Sequence, residues 1–266
     1  MNMLVCIKQV PDTEEIKIDD ATNTPIMDGV PDIVNPYDEY ALETANRIKD
    51  ADPSAKIVVV SMGPEKAEAA LKTCLAVGAE QAYLVRDDAF ADSDTLVTSY
   101  ILSKAIAAIE EKEGKFDVIF CGQQAIDGDT AQVGPQLAEY LEIPQITSGM
   151  EAAVDGDMIK VKREADDGFT VIAAKMPCVI AITQPLYELR YPTIKSKMAA
   201  KRANVPVLTA TEIGTSAELV GPKGSPTEVK VTFVPPRRKG GIVIDEGSTE
   251  GDTKKLAELL SAAALI

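Results

Sequence analysis

Short apolar runs, separated by stretches long enough for a helix, constrain the fold of this chain more than any other feature. Met3 to Val10, Lys56 to Met62, Gln81 to Val85, Asp117 to Cys121 and Pro177 to Thr183 each have the length of one strand and few polar interruptions. Strands buried on both faces of a parallel sheet read this way. Parallel neighbours need crossovers, and the intervening amphipathic stretches supply helices for right-handed βαβ units. The expected class is therefore α/β, a doubly wound and mostly parallel sheet of about five strands between helix layers. A further strand starts at Pro144 to Thr147. Val154 to Arg163 and Phe169 to Lys175, split by Asp166-Asp167-Gly168, read as a long antiparallel hairpin, and Ile16 to Ile18 with Thr24 to Met27 as a small one.

Composition narrows the function. The 266 residues suffice for one large domain with excursions or for two small ones, and a hydrophobic fraction of 45% supports a substantial core. A formal net charge of -15, from 42 acidic and 27 basic residues, disfavours nucleic acid as a partner. No apolar run reaches the roughly 18 residues of a membrane span. With no signal-peptide pattern at the N-terminus either, the expected location is the cytoplasm. The chain has no histidine, which removes the usual neutral-pH base and the commonest metal ligand and weakens triad, zinc-hydrolase and phosphoester-hydrolase readings. No catalytic residue and no metal site is expected. Cys6, Cys74, Cys121 and Cys178 form no C-x-x-C pair and read as buried, reduced thiols. A chain like this handles electrons only through a bound cofactor.

Phe120 to Leu141 carries the densest local signal. Val118 to Cys121 reads as a buried strand, and Gly122 allows the backbone to leave it in a conformation other residues avoid. Asp127-Gly128 marks a tight turn, and Asp129 or Thr130 is placed to cap a helix bearing Val133, Leu137 and Leu141 on one face. Backbone N–H groups, a helix dipole and a hydroxyl would then converge where a phosphate can bind. The stretch is neither a Walker A loop nor G-x-G-x-x-G, and many strand-to-helix loops of this composition bind nothing. Asp127 and Asp129 suit caps, ribose hydroxyls or the turn better than a bare phosphate. Elsewhere, Asn35 reads as the N-cap and Pro36 as N1 of a helix with Tyr37, Ala41 and Ile48 on one face, which needs no ligand. Asp92 to Thr95 caps a helix from Leu96 to Glu113. Leu186 to Arg202 is a basic connection, GPKGSPT at Gly221 to Thr227 a Gly-rich turn, and Lys254 to Leu265 a short amphipathic helix beyond the break at PPRRKGG.

QAIDGDTAQVG, from Gln124 to Gly134, resembles the nucleotide loop of the electron transfer flavoprotein β subunit. VCIKQVPD at Val5 to Asp12, NPYDEYALE at Asn35 to Glu43 and VKREADDGFTVIAAKMPCVIA at Val161 to Ala181 extend the resemblance, with Thr170 standing where the pattern often has Glu or Gln. The matches run from the first strand to about Pro235. The resemblance implies an adenine-nucleotide-binding α/β/α domain over 1–234 and, over 235–266, a C-terminal arm that docks on an α subunit. It implies cofactor contacts at Cys6, at Asn35, Pro36, Tyr37 and Asp38, and at Met62. The central loop adds Gly122, Gln123, Gln124, Ala125, Ile126, Asp127, Gly128, Asp129, Thr130, Ala131, Gln132, Val133 and Gly134. Weaker matches to the NADH-linked, electron-bifurcating branch add Asp94, Thr95, Thr98, Gly224, Ser225 and Thr227. Leu186 to Arg202 matches the family's recognition loop, with Ile194 as an apolar anchor and Arg190, Lys195 and Lys197 as partner-facing cations. The implied function is electron transfer with FAD in this chain and NADH as donor, toward an acyl-CoA-type dehydrogenase and a low-potential acceptor such as ferredoxin or flavodoxin. The alternatives are an ordinary β subunit holding AMP, and a free-standing nucleotide-binding sensor domain.

Overall fold

The structure, a computed structural model, describes residues 1–266 apart from 14–15, 20–21, 23, 27 and 231–239. The chain begins with β1 (Asn2–Cys6), β2 (Gln9–Pro11), β3 (Lys17–Asp19), β4 (Thr24–Ile26) and β5 (Asp32–Val34), followed by α1 (Pro36–Ala51). Next come β6 (Lys56–Met62), α2 (Glu68–Ala76), β7 (Gln81–Val85), α3 (Thr95–Glu113), β8 (Val118–Gly122) and α4 (Val133–Leu141). The remainder is β9 (Gln145–Asp155), β10 (Met158–Ala165), β11 (Gly168–Lys175), β12 (Cys178–Ile182), α5 (Ile194–Arg202), β13 (Val207–Leu208), α6 (Gly221–Gly224) and α7 (Thr249–Ala262).

A nine-stranded sheet in the order β11-β10-β9-β12-β8-β1-β6-β7-β13 forms the centre. The strands from β9 through β13 in that order are parallel neighbours, and β9, β10 and β11 form an antiparallel extension. Alternation along each strand feeds two cores. Met3, Val5 and Ile7 point into the layer with Leu42, Ala45 and Leu71 of α1 and α2. Leu4 and Cys6 point into the layer with Ile101 and Ile106 of α3 and Leu137 of α4. A strand with both faces covered must be apolar throughout, which is why these runs stand out in the sequence.

The order of connections places the functional crevice. From β1 the chain winds outward through β6 and β7, then returns through α3 to β8 on the other side of β1. The segments leaving β1 and β8 therefore diverge to opposite faces, and the gap at their carboxyl ends is where open α/β sheets take ligands.

The expected doubly wound fold is present, with differences in detail. The parallel part has seven strands rather than about five: β9, the further strand expected from Pro144, joins it beside β12, and β13 is only two residues long and leaves no apolar run to read. Met3 to Val10 is not one strand: β1 ends at Cys6, and β2 leaves to pair antiparallel with β5. Val154 and Asp155 belong to β9, since Gly156 turns the chain with φ +64°, so the expected hairpin is the outer part of a three-stranded meander. β3 and β4 form the small two-stranded sheet. Met27 of the expected small hairpin, and Asp20 and Asn23 of the connection between its strands, lie outside the described residues, as does the 235–239 part of PPRRKGG.

The chain divides into two compact units, 1–17 with 26–231 and 18–25 with 232–266. The second contains α7, which Ser248 caps by accepting a hydrogen bond from the Gly251 N–H at 3.2 Å. This helix starts before the expected Lys254 and ends at Ala262, and none of its residues is buried. Among the described residues no helix is long and apolar enough to cross a membrane.

Candidate functional site

Asp38, in the first turn of α1, is the joint of the crevice. Its Oδ2 accepts a hydrogen bond from the Lys8 N–H at 2.7 Å and its Oδ1 accepts one from the Gly122 N–H at 3.0 Å. One carboxylate thus ties together the ends of β1 and β8 and the start of α1. Burial pushes Asp38 up to about 7, against the opposing pull of those N–H donors. Asn35 is the second tether. Its Nδ2 donates to the Gln124 carbonyl at 2.8 Å, and its Oδ1 accepts from the Ile126 N–H at 3.2 Å. Asn35 does occupy the N-cap position of α1, but its side chain makes no capping bond, because the central loop takes both of its polar atoms.

Gly122 also acts differently from expectation. Its φ is not positive; a Cβ there would lie 2.4 Å from Asp38 Oδ1 and 2.7 Å from Tyr37 Cβ. The glycine permits the close approach of β8 to α1. Beyond it, the Gly128 and Asp129 N–H groups both donate to the Ala125 carbonyl, at 3.2 and 2.8 Å, which closes the turn at Asp127-Gly128. The loop then continues with Asp129 and Ala131 both at φ +53°, a region uncommon for non-glycine residues. Neither Asp129 nor Thr130 caps a helix. α4 starts only at Val133, after Gln132, with no side-chain cap. Pro135 has no N–H and the Gln136 N–H donates to the Gln132 carbonyl at 3.1 Å, so in the first turn the N–H groups of Val133 and Gly134 are left for an outside acceptor.

The two carboxylates of the loop are partnered within the chain. Asp127 is paired with Lys8, whose Nζ lies 2.7 Å from both of its oxygens, and Asp129 accepts from the Gln124 Nε2. This offsets the repulsion that Asp127 would exert on a phosphate.

The second Gly-rich turn folds back onto the start of α3. Asp94 caps that helix by accepting from the Val97 N–H at 3.0 Å, and its other oxygen accepts from the Thr227 N–H at 3.1 Å and the Thr227 hydroxyl at 2.8 Å. The Asp94 N–H donates to Ser225 Oγ at 2.9 Å, and Ser225 donates to the Gly221 carbonyl. Gly221, at φ +62°, sits where a Cβ would meet the Ala89 carbonyl oxygen at 2.6 Å. One residue on, the Thr95 hydroxyl donates to Gln132 Oε1 at 2.8 Å. The Gly221 to Thr227 segment, the start of α3 and the central loop thus form one connected surface.

A match to the family described as "Electron transfer flavoprotein domain" spans residues 23–213. "Electron transfer flavoprotein subunit beta" of Megasphaera elsdenii is 45% identical over 270 residues, covering 100% of each chain. "Caffeyl-CoA reductase-Etf complex subunit CarD" of Acetobacterium woodii is 42% identical over 244 residues, 92% of each chain. "Protein FixA" of Azotobacter vinelandii is 44% identical, covering 97% of this chain and 92% of the relative. This chain belongs to the electron transfer flavoprotein family. It is of the β-subunit type, and its role is electron transfer. The family is flavin-associated.

The residues here fit the adenine-nucleotide end of a flavin or AMP. Gln123 Oε1 is buried with no hydrogen-bond partner, one of three such side-chain atoms among the described residues, alongside Gln9 Oε1 and Ser61 Oγ. A buried acceptor of this kind needs a donor, and a nucleotide amino or hydroxyl group would supply one. Pro36 and Tyr37 stand beside Asp38 at the start of α1, and Gln123 through Gly134 form the loop and helix start opposite. Met62 ends β6, half-buried against the α3–α4 layer, and Thr98 lies in the first turn of α3 with its N–H on the Asp94 carbonyl. Cys6 sits at the carboxyl end of β1, but its thiol points into the core. Burial, with the charge of Asp38 second, pushes it up to about 12. All four cysteines are free and buried.

The electron transfer flavoprotein match also covers Leu186 to Arg202, and one expectation changes there. The segment is not all loop, since α5 begins at Ile194, capped by Thr193 Oγ1 accepting from the Ser196 N–H at 3.0 Å. Arg190 is paired within the chain, with Glu43 and Asp50 of α1. Lys195, Lys197 and Ile194 are exposed, Ile194 at 82%. Lys8, which binds both Asp38 and Asp127, is read from the sequence only as part of the loop after the first strand and not as a site residue. Its position directly after the first strand, at the end where ligands gather, was the available signal.

Proposed function

We propose that this chain is the β subunit of an αβ electron transfer flavoprotein, that it holds FAD, and that the complex passes electrons from NADH to an acyl-CoA-type dehydrogenase and to a low-potential acceptor such as ferredoxin or flavodoxin. The bound flavin would supply hydride acceptance from NADH and release of electrons one at a time. The chain's task is to bind it, orient it and exclude water. The observation that carries this reading is the connection from Thr227 and Ser225 through Asp94 and Thr95 to Gln132, because it joins a second polar turn to the central loop. An FAD molecule needs contacts along such an extended path. In this reading the first turn of α4 faces the diphosphate, Asn35 and Asp38 fix the loop, and Lys8 neutralises Asp127.

The name of the A. woodii relative, a subunit of a caffeyl-CoA reductase complex, supports a partner acting on acyl-CoA-type substrates. A second reading, the ordinary subunit holding AMP, is favoured by one feature: Lys8, Asn35 and Asp38 secure the central loop without help from Gly221 to Thr227. Anaerobic titration of the purified αβ complex with NADH separates the two. The bifurcating reading expects stoichiometric flavin bleaching in the parent and, in Asp94→Ala, at least tenfold weaker FAD retention in this subunit. Absence of any NADH-dependent bleaching in the parent points to the AMP-type carrier.

A further inference from the structure

The segment from Leu186 to Ile194 alternates in its commitments. Leu186, Tyr191 and Ile194 are 80, 91 and 82% exposed, whereas Tyr187 and Arg190 turn inward onto α1. Arg190 Nε donates to Glu43 Oε2 at 2.6 Å and its Nη2 to Glu43 Oε1 at 3.1 Å. The same Nη2 donates to Asp50 Oδ2 at 2.7 Å, so one guanidinium bridges two carboxylates almost two turns apart. Tyr187 shares a short hydrogen bond with the Thr44 hydroxyl, and the Arg47 guanidinium lies 3.9 Å over its ring. Arg47 in turn reaches Glu43 at 3.3 Å, which closes the network. The Glu43 side chain is only 6% exposed, so its charge requires these cations.

Such a network is more than an exposed segment needs in order to stay attached. Between β12 and α5 the chain has no regular structure, and a segment of this kind would ordinarily lose its conformational freedom at the moment of docking. We propose that Arg190 and Tyr187 are positioning residues that hold segment 186–194 on α1 in the geometry presented to the dehydrogenase, so that the ordering cost is met before the partner arrives. This rests on the reading of that segment as the docking surface. The anchoring helix is the one whose first turn carries Asp38 and whose N-cap is Asn35, so both the nucleotide loop and the docking segment are referenced to α1.

The test uses the whole αβ complex carrying Arg190→Met, and the paired variant Glu43→Gln with Arg190→Met, which leaves no buried carboxylate unpaired. Amide hydrogen exchange across 186–202 should accelerate at least tenfold in both, with exchange in β1, β8 and the central loop unchanged. With a purified acyl-CoA dehydrogenase as acceptor, KM for that protein should rise about tenfold while kcat and flavin content hold. Arg190→Lys, which keeps the charge but loses the bridging fork, should fall between parent and Met. Exchange or KM at parent values in the paired variant overturns the proposal. Ile194→Ala isolates the underlying reading: if it leaves transfer unchanged while exchange responds to Arg190, the clamp stands and the docking surface lies elsewhere.

Discussion

At the scale of single residues, the site is built by side chains that join distant parts of the chain. Asn35 satisfies one carbonyl and one N–H of the central loop, and both would be stranded on truncation. Asn35→Ala should therefore lower stability by about 2 kcal/mol in denaturant unfolding, within the range for buried polar groups left unpaired. An unchanged unfolding midpoint would show that the loop holds itself. Asp38 adds a pH dependence of definite sign. Its folded pKa, near 7, lies above its ordinary 3.8, so between these values the folded chain holds a proton that the unfolded chain has released. The stability it contributes is full below about pH 4 and is lost as pH rises toward 7. Relative to Asp38→Asn, which cannot titrate, the parent should lose stability across that window; parallel curves would contradict the assignment. Asn35, Gly122 and Asp127 were legible in the sequence as residue types with local roles, yet two of those roles differ. Asn35 ties a loop instead of capping, and Gly122 gives room instead of an unusual φ. The pairs Lys8–Asp127 and Arg190–Glu43 were not legible, because partners 119 and 147 residues apart leave no local pattern.

At the scale of elements, strands and helices were read well where both faces of the sheet are covered. They were read poorly where turn chemistry decides. The start of α4 is the clearest case. Asp129 and Thr130 have cap chemistry, but Asp129 and Ala131 adopt left-handed backbone and carry the loop past both candidates. That postponement leaves an open loop in front of the helix, where a ligand can reach its first N–H groups. α5 was missed for the opposite reason: Ile194 to Arg202 is basic enough to read as a solvated connection, although Thr193 caps it. With Ile194 exposed at the start of α5, Ile194→Ala should slow electron transfer to an acyl-CoA dehydrogenase about tenfold while bound flavin is retained. Stopped-flow kinetics at the parent rate would remove Ile194 from the docking surface.

At the scale of the whole molecule, the parallel sheet was foreshadowed by the spacing of apolar runs, whereas the strand order that sets the reversal between β1 and β8, and with it the crevice, was not, because spacing along the chain does not fix which strands become neighbours. α7, with no buried residue and Leu256 48% exposed, has an apolar stripe suited to a second subunit. Truncation after Pro235 is expected to weaken association with the α subunit at least tenfold in sedimentation velocity, whereas full-strength assembly would mean the C-terminal arm has another role. What the crevice holds is measured most directly as the nucleotide content of the purified αβ complex after denaturing extraction. Two FAD per heterodimer and no AMP is the predicted result; one FAD with stoichiometric AMP would contradict it.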